Sequence, residues 1–395
     1  MKRKALFVVA LFAAGIAIYG STLASDRLAV PAEWEPVVRG IYRLAFFARL
    51  PAMASLQLVY PIEGHHYHQP AVYELLTSFG APLFWGLAIL SLVAARRLAR
   101  KADSKSVAGI EIPRRVFLIG AAGAIGSTGS LGSYSTLVEP QRLRVVRYRM
   151  AIRDLPAAFE GFRIVHVSDT HYGPFISMPY LRGAIEQANA LQGDVVLLTG
   201  DYVHKTPLSI GPGVDVLKHL RARLGAVATL GNHDHWEGVE EVRAAFGEIG
   251  LPLIDNARRF LACDGWTDEP VPGESICVAG LGDLWEGEPN LARALEGVPA
   301  AMPRLVLAHN PDTAEEIAPG VRVDAMFSGH THGGQVWVPG LGTPLLPSRY
   351  GQKYAGGVCV GPSCPVVVSR GVGMAMLPVR FGVPPEIGEI TLVRT

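Results

Sequence analysis

"FSGHTHGGQ", residues 327–335, sets two histidines one residue apart directly after an apolar stretch and follows them with Gly333 and Gly334. In an extended segment, residues i and i+2 point to the same side. His330 and His332, placed where a strand ends, can therefore face a common metal centre. That reading requires further ligands from elsewhere in the chain, delivered to the same edge of the same sheet.

Working outward, other short apolar runs end in the same way. "FRIVHVSD" (162–169), "DVVLLTGD" (194–201), "AVATLGNHD" (226–234), "RLVLAHNPD" (304–312) and "VDAMFSGHTH" (323–332) read as strands. Helical segments are expected near 177–191, 213–223 and 237–247, with a short helix between the last two strands. Strands alternating with helices indicate an α/β domain built on βαβ units. Residues 355–395 read as short strands with tight turns that extend the sheet or form a second one.

Each strand closes on a potential ligand: Asp169 and His171, then Asp201, then Asn232 and His233, then His309, then His330 and His332. In α/β sheets the ligand site lies beyond the carboxyl ends of the strands. Singly, a strand-end histidine is usually a hydrogen-bonded loop residue, and Asp201 or Asn232 after a glycine is usually a turn residue. Their joint occurrence on successive strands is what indicates a site. Oxygen and imidazole donors without thiolate suit Mn, Fe or Zn. His65, His66 and His68 lie outside the α/β pattern and read as loop residues.

The motifs "DTH", "GD", "GNHD", "AHNPD" and "GHTHGGQ", in this order across roughly 160–380, resemble those of the calcineurin-like metallophosphoesterases. The layout is most similar to the membrane-tethered branch that includes bacterial phosphodiesterases and UDP-2,3-diacylglucosamine hydrolases. The resemblance implies a four-layer αββα sandwich with two divalent cations at its rim. It implies that Asp169, His171 and His332 hold one cation, that Asn232, His309 and His330 hold the other, and that Asp201 bridges them. It leaves His233 off the metals, facing the substrate phosphate, with Asp234 as its acidic partner and Gly333 and Gly334 leaving room for a phosphate. Two cations about 3.5–4 Å apart share and acidify a water and neutralise phosphoryl oxygens during in-line displacement. His233, protonated beside Asp234, is the expected general acid at the departing oxygen.

The rest of the chain is of another texture. At 395 residues it exceeds one average domain, and its mean hydropathy of +0.25 with 49% hydrophobic residues is high for a water-soluble protein. The excess lies at the front. Runs near 5–24, 75–95 and 116–138 each have about the twenty residues needed to cross a bilayer as a helix. Residues 41–60 are apolar too, but Arg43, Arg49 and Pro51 suit an interfacial helix better. The expected organisation is a membrane-anchoring region of about three transmembrane helices over 1–140, then the phosphoesterase domain over 141–395.

Lys2, Arg3 and Lys4, and the run from Arg96 to Arg115, place the start of the chain and loop 96–115 in the cytoplasm and the domain outside. The expected location is thus the inner membrane, multi-pass. "PRRVFLIGA" (113–121) resembles a twin-arginine export signal. Arg142, Arg144, Arg147, Arg149 and Arg153 crowd the far side of the third run, where they meet anionic head groups or form the solvated side of a strand. A net charge of +1 gives no argument for a nucleic-acid partner. Cys263 with Cys277, and Cys359 with Cys364, flank turn-rich stretches, and read equally well as oxidised pairs or as four buried thiols.

The expected function is hydrolysis of a phosphodiester or pyrophosphate at a membrane, with a lipid or UDP-sugar-lipid as one substrate class. The alternatives are a phosphomonoesterase or protein phosphatase and, from another class, an inactive metal-binding scaffold.

Overall fold

A computed structural model of the chain describes residues 133–376 and 378–395. The expected spans near 5–24 and 75–95, most of 116–138, the 41–60 segment and His65, His66 and His68 lie outside the described residues. Among the described residues no helix is long and apolar enough to cross a membrane.

Two sheets organise the domain. The first takes β1 (Arg144–Ile152), β2 (Arg163–Val167), β3 (Val195–Thr199), β4 (Ala226–Thr229) and the last strand of the sequence, Glu386–Arg394, in the order β1, last strand, β2, β3, β4. The second contains β5 (Ala257–Ala262), β6 (Gly265–Thr267), β7 (Ser275–Gly280), β8 (Arg304–Leu307), β9 (Ala325–Ser328), β10 (Gly357–Val360) and β11 (Pro365–Val368), in the order β10-β11-β9-β8-β7-β5-β6. Glu386–Arg394 is therefore β12. It runs parallel to β1 and antiparallel to β2. The region after 355 thus extends both sheets.

The sheets pack face to face. Ile164, Leu197 and Val227 from the first meet Val278, Leu305, Leu307 and Phe327 from the second in one apolar core. Successive side chains on a strand point to opposite faces, so Val165, Val196 and Leu198 face the other way, and they too are buried. Burial on both faces is why these strands read as continuous apolar runs. Helix α1 (Met178–Ala190) buries Leu181, Ala184, Ile185 and Ala188, a single stripe at helical spacing. On the outer face of the second sheet, Cys277, Val306, Met326 and Val366 lie under Ala294, Ala314, Ile317 and Tyr354. That covering layer consists mainly of turns and a short 3₁₀ segment, Pro311–Glu316.

Two helices differ from expectation. Helix α2 (Ile210–Asp215) and the 3₁₀ turn Val216–His219 end before residue 223. Arg223 N–H donates to Gly193 O and Leu224 N–H to Asp194 O, so the backbone there is already committed to the loop before β3. Helix α3 (Asn232–Ile249) gains an extra turn before the expected segment, which Asp234 caps through Gly231 N–H and which joins the rest at a kink at Gly238, φ 140°. It ends at Gly250, whose φ of 68° terminates the helix in the left-handed region.

All four cysteines are free thiols, and three are buried. The β5 and β7 stretches do pair, but Cys277 stands opposite Phe260 and Cys263 lies beyond the end of β5. In the β10–β11 hairpin Cys359 stands opposite Val366 rather than Cys364. Of the expected arginine cluster, Arg144, Arg147 and Arg149 fall on β1, an edge strand, all exposed, with Arg147 paired to Glu389 at 2.6 Å, while Arg142 and Arg153 flank it.

Candidate metal centre

The ligand-bearing loops leave the carboxyl ends of β2, β3, β4, β8 and β9 and are tied to one another by backbone bonds. Asp169 N–H donates to Gly200 O, His171 N–H to Asp201 O and Gly329 N–H to His309 O. Asp169, His171, Asp201, His330 and His332 all have positive φ, between 45° and 67°. Such conformations cost non-glycine residues about 1–3 kcal/mol each and cluster at functional sites.

All seven expected ligands converge, and each is at most 5% exposed. His171 Nε2 lies 2.9 Å from His332 Nε2, and Asp169 Oδ1 is 3.3 Å from the latter. Asp201 Oδ2 lies 3.4 Å from His171 Nε2 and 3.2 Å from His309 Nε2. His330 Nδ1 is 2.9 Å from Asn232 Oδ1. Two subsets, Asp169–His171–His332 and Asp169–Asp201–His309, have donor atoms close enough to hold one ion each.

The donor chemistry fits cations. His309 Nε2 and His330 Nε2 are buried without a hydrogen-bond partner, an arrangement uncommon in a finished interior. His309 Nδ1 donates to Thr199 O at 2.6 Å, which turns its Nε2 toward Asp201. Burial lowers His330 and His332 to about 3, keeping both neutral, the ligating form. Burial also opposes charge on Asp169, yet His332 and His171 hold its carboxyl below the usual carboxylate range. His309, despite burial, is raised to about 10 by Asp201. The Asp201 carboxylate thus favours a proton on this imidazole, in a place suited to positive charge.

The expected pairing of His233 with Asp234 is not made. Consecutive residues on a helix diverge by about 100°, and Asp234 turns inward from the first turn of α3. Its oxygens accept Asp201 N–H and Tyr202 N–H at 2.8 Å and Gly231 N–H at 2.9 Å. Burial and the Asp201 carboxylate push Asp234 up to about 8, against those amides. His233 meets His204 instead, Nδ1 to Nδ1 at 3.1 Å, and burial holds it well below the ordinary histidine value. At 9% it is the most exposed of the expected site residues. Its backbone N–H donates to Asp201 Oδ1 at 2.9 Å, so the two residues are positioned together.

Gly333 and Gly334 do not make room for a phosphate. A Cβ on Gly333 would lie 2.8 Å from Val383 Cγ1, and one on Gly334 1.9 Å from Thr343 Cγ2, so both pack against neighbouring loops. Gly329 and Gly231, with Gly200 and Gly371, abut the donor residues, the first two most tightly. Cβ atoms added to those two would lie 2.1 Å from Asp169 Oδ2 and 2.3 Å from Asp201 Oδ1.

Four further residues were not expected. His204 leaves the same strand end as Asp201, three residues on, which was a usable signal. Trp236 sits one helical turn after His233 with ring centroids 4.7 Å apart, also legible from an i, i+3 spacing. Trp285 stands edge-on to His330 at 4.4 Å, held by Asp283 Oδ1 accepting Trp285 N–H and Glu286 N–H. Arg380, wholly buried, donates to Arg370 O and Gly371 O behind His332. No local pattern announces the last two.

The calcineurin-like phosphoesterase family matches residues 162–334. The phosphodiesterase YaeI of Escherichia coli (strain K12) is 32% identical over 286 residues, covering 71% of this chain and 100% of that protein. The bovine (Bos taurus) "transmembrane protein with metallophosphoesterase domain" is 26% identical, over 98% of this chain and 88% of that protein. The UDP-2,3-diacylglucosamine pyrophosphatase LpxG of Chlamydia trachomatis is 27% identical, over 63% of this chain and 89% of that protein.

Proposed function

The chain belongs to the calcineurin-like phosphoesterase family of metal-dependent phosphoester hydrolases, and from that premise we propose that it cleaves a phosphodiester or pyrophosphate bond in a lipid-linked substrate at a membrane surface. The observation that carries the catalytic part is Asp201 Oδ2, set 3.4 Å from His171 Nε2 and 3.2 Å from His309 Nε2. A carboxylate between two imidazoles of different strands is suited to bridge two cations. Asp169, His171 and His332 would hold one, and Asn232, His309 and His330 the other. Bound there, two divalent cations of the Mn, Fe or Zn class supply an acidified water and charge for the phosphoryl oxygens.

The chain's own groups do the rest. Asn232 donates an oxygen without adding negative charge, so an anionic substrate is not repelled. Asp201 Oδ1 holds the His233 backbone, fixing the place of that imidazole. His233, held neutral by burial, hydrogen-bonds the departing oxygen or protonates it once a bound anionic phosphate favours its charged form, oriented by His204 rather than by Asp234. Asp234 is a scaffold residue that ties the Asp201 loop to α3. Trp236 and Trp285 exclude water from the His233 and His330 faces.

Membrane anchoring by the first 140 residues is supported by the apolar runs and by the relative whose name includes "transmembrane", aligned over 98% of this chain. A lipid-linked substrate is supported by the pyrophosphatase relative. The Lys/Arg distribution favours an extracytoplasmic domain in the inner membrane. The complete donor set argues against an inactive scaffold. Purified full-length protein should be assayed with Mn on phospholipids, UDP-sugar-lipids, an aryl diester and an aryl monoester. Turnover of lipid diesters or pyrophosphates above the monoester supports the proposal, and monoester preference refutes it.

A further inference from the structure

The described chain begins at the end of the 116–138 apolar run, and exposed apolar side chains gather where it enters the domain. Leu137 and Val138 are 64% and 47% exposed, Trp337 45%, Leu341 67%, Leu345 58% and Met376 38%. They come from three segments that the backbone ties together. Arg380 N–H donates to Ser135 O at 2.8 Å, and the Tyr134 and Phe381 rings meet edge-on at 6.4 Å. Trp337 N–H donates to Phe381 O at 2.7 Å. Ala375 N–H donates to Gln335 Oε1 at 2.8 Å, which fixes the Met376 loop beside the first two.

Leu341 sits at the tip of a tight turn closed by Val338 N–H to Gly342 O at 2.8 Å, with Gly340 and Gly342 at φ near 80°. Nothing in the turn buries it. Arg142 and Arg144 flank the entry, both exposed, and Arg142 donates to the Tyr134 hydroxyl at 3.0 Å. The 336–345 loop follows His332 directly. Soluble monomers rarely leave such a group of large apolar side chains facing water. Exposed leucines beside a tryptophan and flanking arginines match the chemistry of a lipid headgroup region, where indole lies at the interface and arginine meets anionic phosphate.

We propose that the 336–345 loop, with the Met376 loop and the entering segment 134–138, is a face seated on an anionic lipid bilayer, with Trp337, Leu341 and Leu345 entering the headgroup–acyl boundary. This rests on the membrane-anchored reading above and deepens it: the turn carrying His332 is then held at the lipid surface, where a lipid-linked phosphate ester arrives.

The test uses the full chain reconstituted in vesicles of phosphatidylcholine and phosphatidylglycerol, with plain or brominated acyl chains. Bromine quenches tryptophan at contact range. Trp337 emission is obtained by difference against Trp337→Phe, and that of Trp85, within the expected span 75–95, against Trp85→Phe. With side chains sunk roughly 5–10 Å into the boundary, the Trp337 component should fall about twofold or more in brominated lipid. Leu341→Glu/Leu345→Glu should restore it, while aryl diester turnover in detergent stays at the wild-type rate. Quenched Trp85 with unquenched Trp337 overturns the lipid-facing surface and leaves anchoring intact; a second copy or a protein partner covering the patch gives this result. Unquenched Trp337 and Trp85 together overturn the anchored reading as well. Quenching that persists in the double-glutamate variant also overturns the proposal.

Discussion

Gly329→Ala adds one methyl group immediately before His330. The backbone of Gly329 is not in the left-handed region, so the substitution is permitted locally and its effect is steric. The new Cβ would stand 2.0 Å from Ser168 Oγ and 2.1 Å from Asp169 Oδ2, where real contacts stay above 3.0 Å. Asp169 and Ser168 must therefore retreat by about 1 Å each, and overpacking of this kind costs about 1–3 kcal/mol. Asp169 also receives His330 N–H at 3.0 Å, so its displacement carries His330 with it. A shift of about 1 Å in a catalytic constellation lowers rate by about 10²-fold. The assay is aryl diester turnover with Mn, with metal content and thermal midpoint measured on the same preparation. The control is Gly247→Ala in α3, where an added Cβ meets nothing within 4 Å. It should be neutral in rate and stabilising by about 0.5–1 kcal/mol. Gly329→Ala at wild-type rate and metal content would refute the argument that close packing of strand ends holds Asp169 in place.

Asp201→Asn should lose at least one metal ion per chain and nearly all activity; two metals with normal turnover by elemental analysis and kinetics would remove the bridge assignment. His233→Ala should keep both metals and slow an alkyl diester by about 10²–10⁴-fold, and a nitrophenyl diester clearly less, because nitrophenolate departs without a proton; equal slowing of both substrates contradicts an acid role. Asp234→Asn turns an amide donor toward one of three buried backbone N–H groups, at a cost of about 1–3 kcal/mol; its thermal midpoint should fall while the ratio of alkyl to aryl diester rates stays at the wild-type value, and a changed ratio would return Asp234 to the chemistry. Fusions after Thr395 to alkaline phosphatase and to a fluorescent protein active only in the cytoplasm report sidedness, and a fluorescent fusion with a silent phosphatase would place the domain inside.

The donor residues were legible because each belongs to a local pattern, an apolar run ended by a short polar motif, and the sheet brings those ends together without help from distant sequence. What neighbouring residues do to one another was less legible. His233 and Asp234 are adjacent in sequence, yet the turn that begins at Asn232 sends one to His204 and the other to the Asp201, Tyr202 and Gly231 amides. Gly333 and Gly334 resembled space for a ligand because the strands and loops that fill that space, 343–345, 355 and 383, lie elsewhere in the chain. Trp285 and Arg380 reach the site through an aspartate-stabilised turn and a buried guanidinium, neither of which has a periodic signature. The cysteines looked pairable by spacing, but register set Cys277 and Cys359 opposite apolar residues and left Cys263 and Cys364 outside the ladders.

The position of β12 has a temporal consequence. Arg147 and Glu389 touch across 242 residues of sequence, and β12 separates β1 from β2. Until residues 386–394 have been synthesised, β2, β3 and β4 can pair only with one another, β2 is left as an edge, and β1 has no partner. Pairings so far apart in sequence form late and slowly, because the loop must close before any contact rewards it. Asp169, at the end of β2, therefore acquires its full surroundings only after segments far along the chain, Gly373 N–H among them, have been made. A nascent chain still emerging holds its metal-binding loops unassembled, and anything that must handle it unfolded has until that moment to do so.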